Sequence, residues 1–469
     1  MDKEQAPNLI KMIEDEVKGK SEVSIQDLRE KLSIDESISD LLIEEIVKKV
    51  NPDIKVVDLY HWFDEPPTIK LEVKTSIIRS IIEEFMKIHK ATSYYNLLKV
   101  KLGIKRRRAK LYIEWLKKDI IKPTVQSLLR FCKELNIDPR LLEKMNAFTR
   151  KFPVNLNSPT IIKLKTHILN EGTLLKEAGA HYIARYINKD PVLHLHVRKL
   201  LEELGVKIKE PPVWDRTRQS YVTSIDATTA RILHKAGVPV GRRTMTNPTL
   251  DPRIAKNKEL RKYHFKATLT EEGSSNIWIT NDRRIRMSIS WGRSIDITDK
   301  LTKEQAQRIR RLVQVIAPKK RRIAIGRLVE EGYRDIIETI WKLSPRMLRY
   351  EAAILKRLHR ELDFISPRPS TIHVSKAGRI TAHWVIRITN PDAVELLYRE
   401  YGMLNGTWKN MRLKKHFELY SSYKNKILTD EDIAKIKEVA KSLSLQMYRI
   451  WTKKKFDELF GQTTSSTSI

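Results

Sequence analysis

Leu164-Lys165-Thr166-His167-Ile168-Leu169-Asn170-Glu171-Gly172 has a counterpart later in the chain, Phe265-Lys266-Ala267-Thr268-Leu269-Thr270-Glu271-Glu272-Gly273. Each is an apolar helical stretch that stops in an acid followed by glycine, and the two acids lie 101 positions apart (272 minus 171). One Glu-Gly need only close a helix, with glycine in the left-handed conformation at its end. Two at equivalent places in a longer repeat point to one architecture used twice.

The repeat extends outward from these stretches. The first half predicts a helix over 161–171, strands around 182–187, a helix over 197–204, strands at 206–209 and 221–225, and a helix over 228–235. The second predicts a helix over 260–272, strands at 277–280 and 284–291, a helix over 347–362, strands at 371–375 and 379–388, and a helix over 393–401. A basic helical insertion, 302–333, interrupts it and carries Lys319-Lys320-Arg321-Arg322. The order is αββαββα twice, over 158–245 and 250–405.

Within 284–291, one face carries Arg284, Arg286, Ser288 and Ser290, and the other Ile285, Met287, Ile289 and Trp291. Residues 379–388 set Arg379, Thr381, His383 and Arg387 against Ile380, Ala382, Trp384, Ile386 and Ile388. Such alternation predicts a sheet with one face on a core and one open. Lys207 and Lys209 alternate with Val206 and Ile208 in the same way. Open-face Arg, Lys, Ser, Thr and His offer donors to phosphates and base edges. An ordinary solvated face is the plain alternative, but acids are scarce in these rows.

The whole chain leans the same way. Of 469 residues, 90 are Lys or Arg and 58 Asp or Glu, for a net charge of +32, while 41% are hydrophobic. A surface adapted to heat accounts for many charges of both signs but not for an excess of one. That excess suits a polyanion, whose condensed counterions are released as phosphates are neutralised. Double-stranded DNA is the expected partner, with no small-molecule substrate. The lone Cys132 rules out an internal disulfide framework and reads as a buried thiol. His194 and His196 find no further ligands for zinc, and no glycine-rich phosphate loop occurs. No apolar run of about 18 residues suggests a membrane span. The expectation is a monomer, cytoplasmic and nucleoid-associated, from an archaeal-like organism living hot.

Ahead of the repeat, 1–66 predicts three short helices and a strand at 54–60, a winged-helix-like order, with Ser24 capping the second helix. Residues 75–147 predict a helix over 77–89, a turn at Gly103, and a second helix opened by Lys105, Arg106, Arg107 and Arg108. This order resembles the phage-repressor-like helix-turn-helix domains and puts four cations where a recognition helix meets DNA. A plain bundle with a solvated basic face is the alternative. Residues 406–461 read as a basic helical extension and 462–469 as a low-complexity tail.

The paired Glu-Gly stretches within their doubled order resemble the two motifs of single-chain LAGLIDADG homing endonucleases. The resemblance implies an α+β, pseudo-twofold core preceded by the helix-turn-helix and winged-helix domains. It also implies two helices packed at the centre and curved sheets along the major groove. Glu171 and Glu272 would then be the catalytic, metal-holding acids, with Mg²⁺ as the cofactor of an active enzyme. Lys165, Thr166 and His167 stand where the family has Ala, Gly and Leu, and Asn170 and Glu271 replace the small residue before each acid. One expected function is a sequence-specific DNA-binding protein, a transcription regulator or replication-origin binder, on a core that does not cleave. The other is an active metal-dependent site-specific endonuclease, and an RNA-directed role is a minor third.

Overall fold

The computed structural model describes residues 5–461 apart from 21, 26, 27, 29–31, 33, 35–39, 178–180 and 209. Lys209, the low-complexity tail and most of the helix expected after Ser24 therefore lie outside the described residues. The fold is α+β. The chain divides into two compact units, Met1–Ile161 with Leu201–Lys207, and Ile162–Leu200 with Ile208–Ile469.

In the first unit, helices Gln5–Val17 and Asp40–Val50 bury Ile13, Val17, Ile43 and Val47 in a small core closed by Ile54. Strands Glu22–Ser24 and Lys55–Val57 pair in parallel. Helices Thr75–Ile88, Arg106–Trp115 and Val125–Glu134 follow, with Gly103 at φ +62° in the turn before the second of them. Tyr112 and Phe131 meet edge to face at 5.1 Å, and Arg79 donates to the Leu116 carbonyl at 2.8 Å. Thr124 caps the third helix, accepting from the Ser127 N–H at 3.2 Å. Cys132 is buried, and burial pushes its thiol up to about 12.

The second unit is built on two helices, α1 (Pro159–Glu171) and α2 (Lys258–Glu271). Each runs straight into a strand, β1 (Gly172–Glu177) from the first and β5 (Gly273–Ile279) from the second. The first sheet adds β2 (His181–Asn188), β3 (Val213–Asp215) and β4 (Ser220–Ile225) in the order β1-β2-β4-β3. The second adds β6 (Ile285–Asp296), β7 (Arg322–Ala324), β8 (Arg368–Val374) and β9 (Ile380–Ile388), in the order β5-β6-β9-β8-β7. All pairings in both sheets are antiparallel.

Two expectations need correction. The segment from Val206 is not a strand: Lys207 lies in an exposed loop, and the third strand of this sheet is Val213–Asp215. Arg198 holds that loop by donating to the carbonyls of Ile208 at 2.6 Å and Glu210 at 2.9 Å, groups that a ladder would otherwise occupy. The 302–333 insertion is not wholly helical either. Between helices Lys303–Ile316 and Ile325–Glu330 it contributes β7, which pairs with β8 and widens the second sheet to five strands.

The apolar rows of β6 and β9 fall as their sequences predict, while on the other face of β6 Ser288 and Ser290 are also buried. Ile285, Met287, Ile289, Trp291, Ile380, Ala382, Trp384, Ile386 and Ile388 are buried together with Phe265 and Leu269 of α2. Among the described residues, no helix is long and apolar enough to cross a membrane.

Gly172 and Gly273 do not close their helices in the left-handed conformation, since neither has positive φ. Glycine is needed there because the chain folds back over the last helical turn. A Cβ on Gly273 would lie 2.3 Å from the Leu269 carbonyl oxygen, and one on Gly172 2.7 Å from the Ile168 Cα. Gly273→Ala is expected to destabilise the protein by about 1–3 kcal/mol through overpacking. Gly326→Ala, with nothing within 4 Å of the added carbon, is the control and should be neutral or stabilising by up to about 1 kcal/mol. Urea unfolding of both variants checks the contrast.

Candidate nucleic-acid interface and acid pair

The register of the second sheet sorts its side chains. Opposite the buried face stand Arg286 and Ser294 on β6, Thr381, His383 and Arg387 on β9, Arg368, Thr371 and His373 on β8, and Arg322 on β7. The four arginines are exposed. Arg284 and Arg379, also exposed, precede β6 and β9 in their hairpin turns. The one acid in these rows, Asp296, is turned to the Thr298 N–H at 2.9 Å and hydroxyl at 2.6 Å.

Ser288 has the expected facing but not the expected access, being 2% exposed. Its hydroxymethyl is too short to rise past its row: Asn276 stands opposite and accepts from Arg412 at 3.2 Å. His383 is half-buried, with Nδ1 3.2 Å from the Ser294 hydroxyl. Of the four cations opening helix Arg106–Trp115, Lys105, Arg106 and Arg107 are exposed, whereas Arg108 turns back to pair with Glu134.

The first sheet differs in character. Its open rows hold Thr173, Arg185 and Ser224, but also Leu175, Ile183, Ile187, Val213 and Val222. Lys207, expected there on a strand, lies in an exposed loop. Basic character therefore concentrates on the second sheet.

Between the sheets, α1 and α2 meet along a buried polar seam. Glu271 accepts from His167 Nδ1 at 2.6 Å, from Asn170 Nδ2 at 2.7 Å and from the Tyr186 hydroxyl at 2.6 Å. His167 Nε2 lies 2.8 Å from the Tyr263 hydroxyl. Thr166 and His264 lie 3.3 Å apart, and His264 reaches Glu351 at 3.0 Å. Arg293, on the apolar face of β6, donates through Nη2 to Asn170 Oδ1 at 2.9 Å and to Glu351 at 2.7 Å. Trp291 Nε1 donates to the other Glu351 oxygen at 3.0 Å. Burial alone would raise Glu351, but the Arg293 charge and the His264 bond outweigh it and hold its carboxyl near about 2.

At the far ends of these helices sit the two acids singled out by sequence, and they share a counter-ion. Arg243 donates through Nη1 to Glu272 Oε1 at 2.6 Å, and its Nη2 lies 3.6 Å from Glu171 Oε2. Lys409 donates to the Glu271 carbonyl at 2.8 Å, and Arg293 Nη1 is 3.9 Å from Glu272. Burial first, then the nearby Glu272 charge, push Glu171 up to about 8 against the opposing pull of Arg243. The Glu171 carboxyl is thus shifted toward its protonated form, and Arg243 lies closer to Glu272 than to Glu171.

This donor set does not fit Mg²⁺. A hard dication wants several ionised or carbonyl oxygens with its own waters. Here the space between the carboxyls is taken by a guanidinium 2.6 Å from Glu272 and 3.6 Å from Glu171. Among the described residues no group of three or more His, Cys, Asp or Glu side chains is placed to hold a metal ion.

Arg243, Arg293, Lys409 and Glu351 went unnamed at the level of sequence. Arg293 left a signal, since it interrupts the apolar row Ile289, Trp291, Ile295 of a buried strand face. Arg243 and Lys409 lie outside any periodic pattern and left none.

No family model matches the chain, and no curated protein matches it either. Among solved structures, the homing endonuclease I-WcaI bound to its DNA recognition sequence is similar over 56% of this chain and 90% of its own, with 11% identity and a TM-score of 0.28. The LAGLIDADG meganuclease I-AabMI bound to uncleaved DNA is similar over 61% and 99%, with 11% identity and a TM-score of 0.31.

Glu351→Ala removes the hydrogen-bonded counter-ion of buried Arg293, leaving only Glu272 at 3.9 Å, and is expected to cost about 3–5 kcal/mol in urea unfolding. The stability that Glu351 contributes is fully present above its unfolded carboxyl value of about 4.3. It is lost as pH falls from there through the folded value of about 2. Melting curves of wild type and Glu351→Gln between pH 6 and 2 should therefore converge at the acid end.

Proposed function

We propose that this protein binds double-stranded DNA sequence-specifically on the open faces of its two sheets and does not cut it. It then serves as a transcription regulator or replication-origin binder on a pseudo-twofold, LAGLIDADG-like core. The observation that carries the reading is the open face of the second sheet, where Arg286, Arg322, Arg368 and Arg387 stand exposed in one set of rows beside Thr371, Thr381 and His373. Arginines supply phosphate contacts and bidentate readout of guanine, and the hydroxyl and imidazole groups between them reach other base edges. The apolar rows of the first sheet suit thymine methyl groups. The basic helix opened by Lys105, Arg106 and Arg107 adds a further contact of the helix-turn-helix kind, which lengthens occupancy of an extended site.

The endonuclease reading keeps one specific support, the pair Glu171 and Glu272 at equivalent helix ends. Against it stands the neutralisation of that pair by the protein's own cations.

Selection from a genomic fragment library, first in EDTA and then in Mg²⁺, with the ends of bound fragments mapped, tests the reading. Enriched, uncut fragments indifferent to metal are expected. Discrete cuts lost on Glu171→Gln or Glu272→Gln would sink the non-cleaving reading, and no enrichment would sink sequence-specific binding. On a selected site, Arg387→Ala and Arg322→Ala should each lower the slope of log affinity against log salt by about 0.9 where the arginine meets a phosphate. Substitution of an arginine that reads a base should instead relax preference at one position, by about 1–3 kcal/mol.

A further inference from the structure

The segment joining the two halves does more than connect them. Gly241, at φ +115°, donates its N–H to the Leu174 carbonyl of β1 at 2.8 Å, anchoring the start of the segment to the first sheet. A single helical turn, Arg243–Thr246, follows and ends at Asn247 in the left-handed conformation, φ 42°. The Asn247 side chain accepts the Arg346 N–H at 2.9 Å, and Met245 Sδ lies 3.5 Å from Arg379 Nη1 at the start of β9. The turn is therefore held to β1 on one side and, on the other, to the start of helix Arg346–Leu358 and the hairpin turn before β9.

That fixed turn projects Arg243 to the carboxyls that close α1 and α2. Besides Glu272 and Glu171, the guanidinium meets the Leu169 carbonyl of the last turn of α1 at 3.4 Å. It forms one wall of a cavity of about 170 Å³ that Glu272, Arg293, Ser294, Asn247 and His383 also line.

We propose that Arg243 stands in for a divalent cation between Glu171 and Glu272, so that this acid pair takes up Mg²⁺ or Mn²⁺ only when that guanidinium is removed. A guanidinium supplies the positive charge that paired carboxylates facing polyphosphate require, and as a fixed group it cannot polarise or deliver a water as a metal does. The arrangement keeps the acids from repelling DNA while leaving cleavage without its ion. The inference rests on the DNA-binding reading only for why such neutralisation is useful. The presence or absence of a cation site can be measured without DNA.

Mn²⁺ binding to the full chain, free of DNA and followed by the loss of the free-ion electron paramagnetic resonance signal, decides it. Wild type, Arg243→Lys, Arg243→Ala and Arg243→Ala/Glu171→Gln/Glu272→Gln are compared, with circular dichroism confirming that each is folded. Wild type and Arg243→Lys should leave Mn²⁺ free, Arg243→Ala should gain one bound ion with at least tenfold higher affinity, and the triple variant should lose it again. One Mn²⁺ bound by wild type and lost on Glu171→Gln would overturn the proposal, as would a folded Arg243→Ala that gains no site. Should Arg243→Ala fail to fold, Arg243→Gln takes its place under the same criteria. DNA capture by wild type is scored separately, so a failure of DNA binding and a failure of the masked site are told apart.

Discussion

The buried polar seam between the two central helices is the constraint on which the rest depends. Helices that meet through small residues approach by backbone contact; these meet through His167, Asn170, His264 and Glu271. Such groups are tolerable in a core only when each finds its partners, since an unpaired buried polar atom costs far more than a typical hydrogen bond returns. Asn170 illustrates how completely that demand is met. Its amide nitrogen serves Glu271 and Thr268, and its oxygen accepts from Arg293. The seam specifies the relation of the helices by direction and donor identity rather than by close packing, and the two terminal acids are carried where it places them.

From the seam the charge pattern spreads outward. Arg293 ties α1 to the second sheet and to helix Arg346–Leu358 through Glu351. Lys409 reaches the end of α2 from helix Trp408–Tyr423, whose first N–H is held by Asp190 at 2.9 Å. The C-terminal helices are thus part of the core's electrostatics. Phe456 stacking on Tyr221 at 4.2 Å and Phe417 on Tyr398 at 3.8 Å show that they are also part of its packing. The centre between the sheets is consequently rich in fixed cations, with Arg243, Arg293 and Lys409 set about its carboxyls.

The two sheets share a strand order but divide the work unevenly. The second is one strand wider and carries the arginine rows, whereas the open rows of the first mix apolar residues with a single arginine and the acids Glu177 and Asp215. Asymmetry of that kind is open to a single chain, in which each sheet can diverge without altering the other.

Both faces of β6 and β9 were legible from residues 284–291 and 379–388, because side chains alternate strictly along a strand and a sheet covered on one side must sort apolar from polar. The helix ends were legible because Glu-Gly recurs at equivalent places, although the reason for glycine there is a close approach to the preceding turn and not a left-handed cap. The segment from Val206 misled, since four alternating residues suit a strand but cannot reveal that Arg198 takes up the carbonyls that follow. The insertion's β7 was too short, at three residues, to stand out against its helices. Partnerships escaped altogether: Asn170 meets Glu271 across 101 residues, Arg293 meets Glu351 across 58, and Arg243 reaches Glu272 across 29 from a segment with no periodicity. Periodicity is local and survives in one dimension, whereas the pairing of a buried charge with its counter-ion exists only once the chain has brought distant residues within hydrogen-bond reach.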